Sequence, residues 1–107
     1  MAITVLVAIP GNEAERMAEM LVKERVCACV NVVAGVKSFF WWEGKVDTAE
    51  ESLLIIKTKE SLFPRLKEMV SANHSYSVPE IISFKIDNLN QPYLEWLNKE
   101  ANAAPNT

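Results

Sequence analysis

Apolar side chains repeat along this chain at two different periods, and each change of period marks an element. From Ala2 to Ile9 they run almost without a break. Such a run, apolar on both faces, predicts a central β-strand. Pro10–Gly11 turns the chain, and Ala14, Met17, Ala18 and Leu21 then recur at helical spacing. A helix over 13–25 follows, with Asn12 and Glu15 in the positions of a capping box. Between Val26 and Trp42 only Asn31, Gly35, Lys37 and Ser38 are not apolar, and β-branched and aromatic types dominate. This is a long strand. Parity places Val26, Ala28, Val30, Val32, Ala34, Val36, Phe40 and Trp42 on one face. Cys27, Cys29, Asn31, Val33, Lys37, Phe39 and Trp41 fall on the other.

The chain turns near Glu43–Gly44–Lys45, and Leu53 to Ile56 return as a second strand without alternation. Residues 43–51 read as a polar, solvated turn region. A second helix spans 61–72, striped by Leu62, Phe63, Leu66, Met69 and Val70, with Pro64 in its first turn. A loop from His74 to Glu80 leads to a strand over 81–86, and Pro92 opens a short last helix carrying Tyr93, Leu94, Trp96 and Leu97. The tail from Ala101 to Thr107 is expected to fray.

The order is β-α-β-β-α-β plus a helix: an α+β, ferredoxin-like single domain over 1–107 with a long central hairpin. Seventeen extended residues would reach roughly 50 Å, whereas a domain of this size has a radius of gyration of about 13 Å. The hairpin must bend, with a bulge near Gly35, or project onto a neighbour. Two helices cover one face of its sheet. A homotrimer is the economical cover for the other.

Charge narrows the function classes. A net charge of -3 and no basic patch give no reason to expect nucleic acid. No run reaches transmembrane length, and MAITVLVAI has no cationic region before its apolar stretch. Two cysteines in one segment make no disulfide framework. No membrane association and a reducing, cytoplasmic location are expected, so the sequon at Asn73 is disregarded.

Candidate chemistry is sparse. Cys27 and Cys29 read either as small buried hydrophobes or as two soft donors sharing a strand face. His74, the single histidine, lies in a loop near Tyr76 and Glu80, either as a surface residue or as a metal ligand. Trp41, Trp42 and Trp96 suit core, interface or stacking use. Lys57 either snorkels or meets an anionic ligand. No Ser-His-Asp order, P-loop, GxGxxG or HExxH occurs. The loop PGNEAER is acidic where an acylphosphatase would need an anion-binding loop. The chain is not expected to be an enzyme.

The residues from Cys29 to Asn31 with Gly35 and Val36, the turn Trp41–Trp42–Glu43–Gly44–Lys45, and Leu54 to Thr58 form a distinctive set with His74, Tyr76, Pro79 and Glu80, and with Tyr93, Leu94, Trp96 and Leu97. Together they resemble the CutA divalent-cation tolerance family over nearly the whole chain. The resemblance implies a stable cytoplasmic homotrimer, PII-like in architecture and linked to copper and other divalent metals. It implies metal ligation by His74 and Cys29, and a cleft between subunits lined by Lys57, Trp42, Tyr76 and Glu80. Cys27 stands where the family usually has alanine and inherits no role. Ser75 replaces a common proline, which implies a looser loop. The function expected is therefore Cu(II) or divalent-metal binding and tolerance. The alternatives are a PII-like module for a small anionic ligand and a trimeric scaffold for other proteins.

Overall fold

Strand β1 (Ala2–Pro10) lies inside a sheet ordered β2-β3-β1-β4, as its two apolar faces require. The computed structural model describes residues 1–103. Helix α1 (Gly11–Lys23) follows β1; β2 (Cys29–Trp42) and β3 (Lys45–Lys59) form the hairpin; a 3-10 turn (Glu60–Leu62) precedes α2 (Phe63–Asn73); β4 (Ile81–Lys85) and α3 (Gln91–Glu100) complete the chain. All pairings are antiparallel, giving the expected α+β, ferredoxin-like fold. No helix among the described residues is long and apolar enough to cross a membrane.

The register separates two faces. Val5 opposes Ile56 and Val7 opposes Leu54; these residues meet Ala14, Met17 and Leu21 of α1 and Leu66 and Val70 of α2 in one fully buried core. Each such side chain contributes about 1.5–3 kcal/mol by leaving water. The opposite face carries Thr4, Leu6 and Ala8, with Leu53, Ile55 and Lys57 on β3 and Ile82 and Phe84 on β4. Helix α3 closes one end of the sheet, where Leu97 and Ala101 pack on Ala2 and Ala28.

The hairpin differs from its sequence reading in three ways. The strand begins at Cys29, not Val26; Val26 and Cys27 instead enter the core, and the buried Thr58 hydroxyl donates to the Val26 carbonyl at 2.8 Å. Second, Val33 opposes Leu53 but Val36 opposes Glu51, so three steps on β2 match two on β3. That bulge lies at Gly35, whose φ is 73°. One extra residue reverses facing. Val36, Ser38, Phe40 and Trp42 therefore share the open face with Cys29, Asn31 and Val33, while Phe39 and Trp41 turn to the other side. A single parity assignment for the strand does not hold. Third, residues 45–51 are paired strand rather than turn, although 45–48 and 50 are exposed as expected. Glu43 and Gly44 alone make the turn, with φ of 50° and 80°. Positive φ at both central residues matches the twist of a two-residue hairpin.

Helix α1 stops at Lys23, and the N-cap is Pro10 without a side-chain bond, so Asn12 and Glu15 form no capping box. Arg25 enters the left-handed region at φ 58°. Its guanidinium donates at 3.2 Å to the Glu100 carboxylate, which ties the end of α1 to α3. Ala101 is fully buried rather than frayed; residues 104–107 lie outside the described residues. The longest dimension is 44 Å with a radius of gyration of 14.4 Å, so the bent hairpin still projects.

Candidate functional site

The hairpin beyond the bulge and the loop after α2 enclose a cleft of about 560 Å³ on the open face. Phe40, Trp42, Asp47, Glu51, Tyr76 and Glu80 line it. The bulge brings Phe40 and Trp42 to this side, and strand alternation from Leu53 brings Glu51. Three of the residues expected in a ligand cleft, Trp42, Tyr76 and Glu80, are thus brought together. Lys57 is not among them.

Tyr76 is aimed by the loop beneath it. The Tyr76 hydroxyl donates to Glu51 Oε2 at 2.9 Å, and Glu51 is only 7% exposed. Partial burial, followed by the Glu51 carboxylate, pushes the Tyr76 phenol up to about 12. His74 Nε2 lies 2.8 Å from the Ala8 carbonyl, which can only accept, so Nε2 carries the hydrogen. Nδ1 then accepts the Tyr76 backbone N–H at 3.1 Å. The ring is buried and tilts against that of Tyr76, centroids 4.8 Å apart. His74 is therefore a strut, not a loop residue free to reach a ligand. A metal on either nitrogen would displace one of these bonds. Ser75 does not loosen the loop either: its amide and hydroxyl donate to the Glu13 carboxylate at 3.2 and 2.6 Å.

Lys57 and Cys29 lie elsewhere on the open face, paired across β2 and β3. Lys57 Nζ donates to Asn31 Oδ1 and, at 3.1 Å, to the Ile55 carbonyl. Cys29 is half-buried beside the Tyr93 hydroxyl, whose pKa is raised by burial and then by that thiol. Cys27 is buried in the main core, and desolvation pushes its thiol up to about 12. The two sulfurs are not a matched pair on one strand face, since only Cys29 belongs to the strand. Cys29 aligns through Lys57 with Thr4, whereas His74 binds Ala8. Four residues of strand, about 13 Å, separate those positions before the crossing of two strands is added. His74 and Cys29 are not brought together, and no group of three or more His, Cys, Asp or Glu among the described residues is arranged to hold a metal ion.

The acidic cleft residues missed by sequence reasoning are Asp47 and Glu51, whose only signal is alternation with Leu53 and Ile55, hidden by the polar run around them.

Comparison with known proteins gives a consistent picture. Residues 3–100 match the family model described as CutA1 divalent ion tolerance protein. The chain is 53% identical over 97 residues to the rice protein named CutA 1, chloroplastic, covering 90% of this chain and 55% of that one. It thus spans only about half the length of that plant relative. It is 46% identical to the Thermus thermophilus divalent-cation tolerance protein CutA, covering 89% of this chain and 93% of that one. The crystal structure of CutA1 from Oryza sativa superposes with a TM-score of 0.93 at 47% identity, over 96% of this chain and 95% of that one.

Proposed function

This chain belongs to the CutA1 divalent ion tolerance protein family, and from that premise we propose that it acts in tolerance to divalent cations, copper among them, by binding rather than catalysis. The observation that carries this reading is that Asp47, Glu51 and Glu80 all line one cleft, too far apart in a single chain to close around an ion, with no lysine, arginine or histidine among its described lining residues. Carboxylates attract divalent ions, and a site short of donors in one chain can be completed by another. Binding rather than catalysis is supported by His74, whose ring nitrogens are both engaged and offer no general base.

The working form is a homotrimer. Phe39, Trp41, Val46 and Phe84 are each more than half exposed on a single chain, which is apolar surface that association would cover. His74 and Cys29 serve as metal donors only after releasing their present partners. Two free cysteines support a reducing, cytoplasmic setting. Light scattering and calorimetric titration with Cu(II) test this reading on the wild type, Glu80→Gln and His74→Ala. A mass of three chains, with Cu(II) affinity reduced in Glu80→Gln, is expected. A folded monomer, or Cu(II) affinity untouched by either substitution, overturns it.

A second reading rests on Lys57, which has no carboxylate partner among the described residues. In it the chain is a PII-like module for a small anion between subunits. Nucleotide or phosphate binding lost in Lys57→Ala would favour that reading, and silence in both titrations would leave a scaffold.

A further inference from the structure

We infer that Glu13, on helix α1 and outside the cleft, is a positioning residue for it: its carboxylate fixes the loop that presents Tyr76 and Glu80 by accepting both donors of Ser75. The cleft is the one proposed above for metal, but this inference rests on bonds within one chain. It needs neither a bound ion nor an uncovered face.

The loop between α2 and β4 has no ladder of its own, since regular structure stops at Asn73 and resumes at Ile81. Its path is therefore set by side-chain bonds, and two consecutive residues supply them towards different elements. His74 Nε2 donates to the Ala8 carbonyl on β1 at 2.8 Å. Ser75 donates its amide to Glu13 Oε1 at 3.2 Å and its hydroxyl to Oε2 at 2.6 Å, so both oxygens of Glu13 are used. Bonds accepted by a carboxylate are the stronger kind. The next residue is Tyr76, whose amide donates to His74 Nδ1 and whose hydroxyl donates to Glu51 Oε2. Glu13 is thus linked to Glu51 through the loop, although Glu13 itself does not line the cleft.

The two anchors are not equivalent. His74 is buried, whereas Ser75 is exposed and Glu13 half-buried. Breaking the buried bond strands polar groups away from water, while Glu13 and Ser75 can be solvated apart. The outer tie therefore sets how often the loop opens. Its fixed end is rigid: Glu13 lies in the first turn of α1, where an acidic side chain is favoured, and Ala14, Met17 and Leu21 hold that helix in the core. A side chain on the covered side of the sheet thereby controls the aim of Tyr76 on the other.

Amide hydrogen exchange at neutral pH, on chelator-treated assembled protein, reads the hold on the loop. The Tyr76 amide should exchange at least about tenfold faster in Ser75→Ala and in Glu13→Ala, the factor that one lost bond to a charged group supplies. Ser75→Thr keeps the hydroxyl and should restore wild-type exchange. Glu15→Ala, which removes a neighbouring charge but no bond to the loop, should match the wild type. Amides of the buried Leu66 and Val70 on α2 should not change. Tyrosine titration followed by carbon-13 NMR then reports on the cleft itself. The Tyr76 phenol is pushed up to about 12 by burial and the Glu51 carboxylate. In Ser75→Ala, which leaves every charge in place, it should titrate nearer the ordinary value of about 10. Unchanged Tyr76 exchange in both alanine variants overturns the inference. So does faster exchange with an unmoved phenol, with equal acceleration at Leu66 and Val70, or with no rescue in Ser75→Thr. Cu(II) titrations of the same proteins test the metal reading separately: a wild type that binds no Cu(II) sinks that reading and leaves this one to the exchange data.

Discussion

The two faces of this sheet are built from similar residues and treated in opposite ways. On the helix-covered face, Val5, Val7, Leu54 and Ile56 are completely buried beneath α1 and α2. On the open face, Ile82 and Phe84 are 44% and 51% exposed, and the hairpin end carries Trp42 at 49%. The first face is closed by its own chain, and its energetics are those of a core. The second is apolar enough to need a cover, yet it also holds Glu51 to Tyr76 and Lys57 to Asn31 by hydrogen bonds. A surface of that kind is organised for contact with something else. The chain thus covers one face of its sheet and leaves the other partly exposed.

The sharpest way to break this contrast is to truncate one large side chain on each side. Leu54→Ala should lower stability by about 2–5 kcal/mol in chemical denaturation, because its cavity lies between two helices and the sheet. Trp41→Ala, at a side chain 75% exposed, should leave the protomer's secondary structure intact and show its effect in assembly mass instead. Equal losses of protomer stability would erase the distinction.

Alkaline pH tests the covered face next. The Cys27 thiol is pushed up to about 12, so the folded state holds its proton more tightly than the unfolded chain does. The resulting stability is fully present below the ordinary thiol range, near pH 9, and is lost as pH rises towards 12. The loss should amount to a few kcal/mol, at about 1.4 kcal/mol per unit. Urea melts at pH 8 and pH 11 should show it, and Cys27→Ala should reduce the difference. The raised Tyr76 phenol acts in the same direction but is more exposed, so its contribution is smaller.

A smaller effect is expected where polar bonds shape the cleft. Tyr76→Phe removes the hydroxyl that Glu51 accepts and should cost about 1.5–3 kcal/mol, the usual range for a bond to a charged group. Water reaching Glu51 through the cleft should bring the value to the lower end. The smallest effect belongs to the hairpin turn. An alanine Cβ at Gly44 would touch nothing within 4 Å, so Gly44→Ala should cost only the left-handed strain, about 1–2 kcal/mol, in thermal melts. A much larger loss would mean that the turn is packed against something in the assembly.

Local pattern along the chain determined the elements themselves. A two-sided apolar run marked β1 as an inner strand, helical spacing marked α1 and α2, and Glu43–Gly44 marked the turn, because period and turn chemistry act between near neighbours. The order of those elements was enough for the ferredoxin-like topology. Facing and partnership were decided only in three dimensions. Gly35 hints at a bulge, but only pairing with β3 shows that β2 carries the extra residue and that Phe40 and Trp42 therefore turn to the face that carries Glu51. His74 looks like a free loop residue until the Ala8 carbonyl, 66 positions away, takes its Nε2 hydrogen. Glu51 sits in a polar run and is buried only because the loop carrying Tyr76 folds over it. The cleft is made of contacts between distant segments, and no spacing along the chain encodes which backbone group will lie opposite a given side chain.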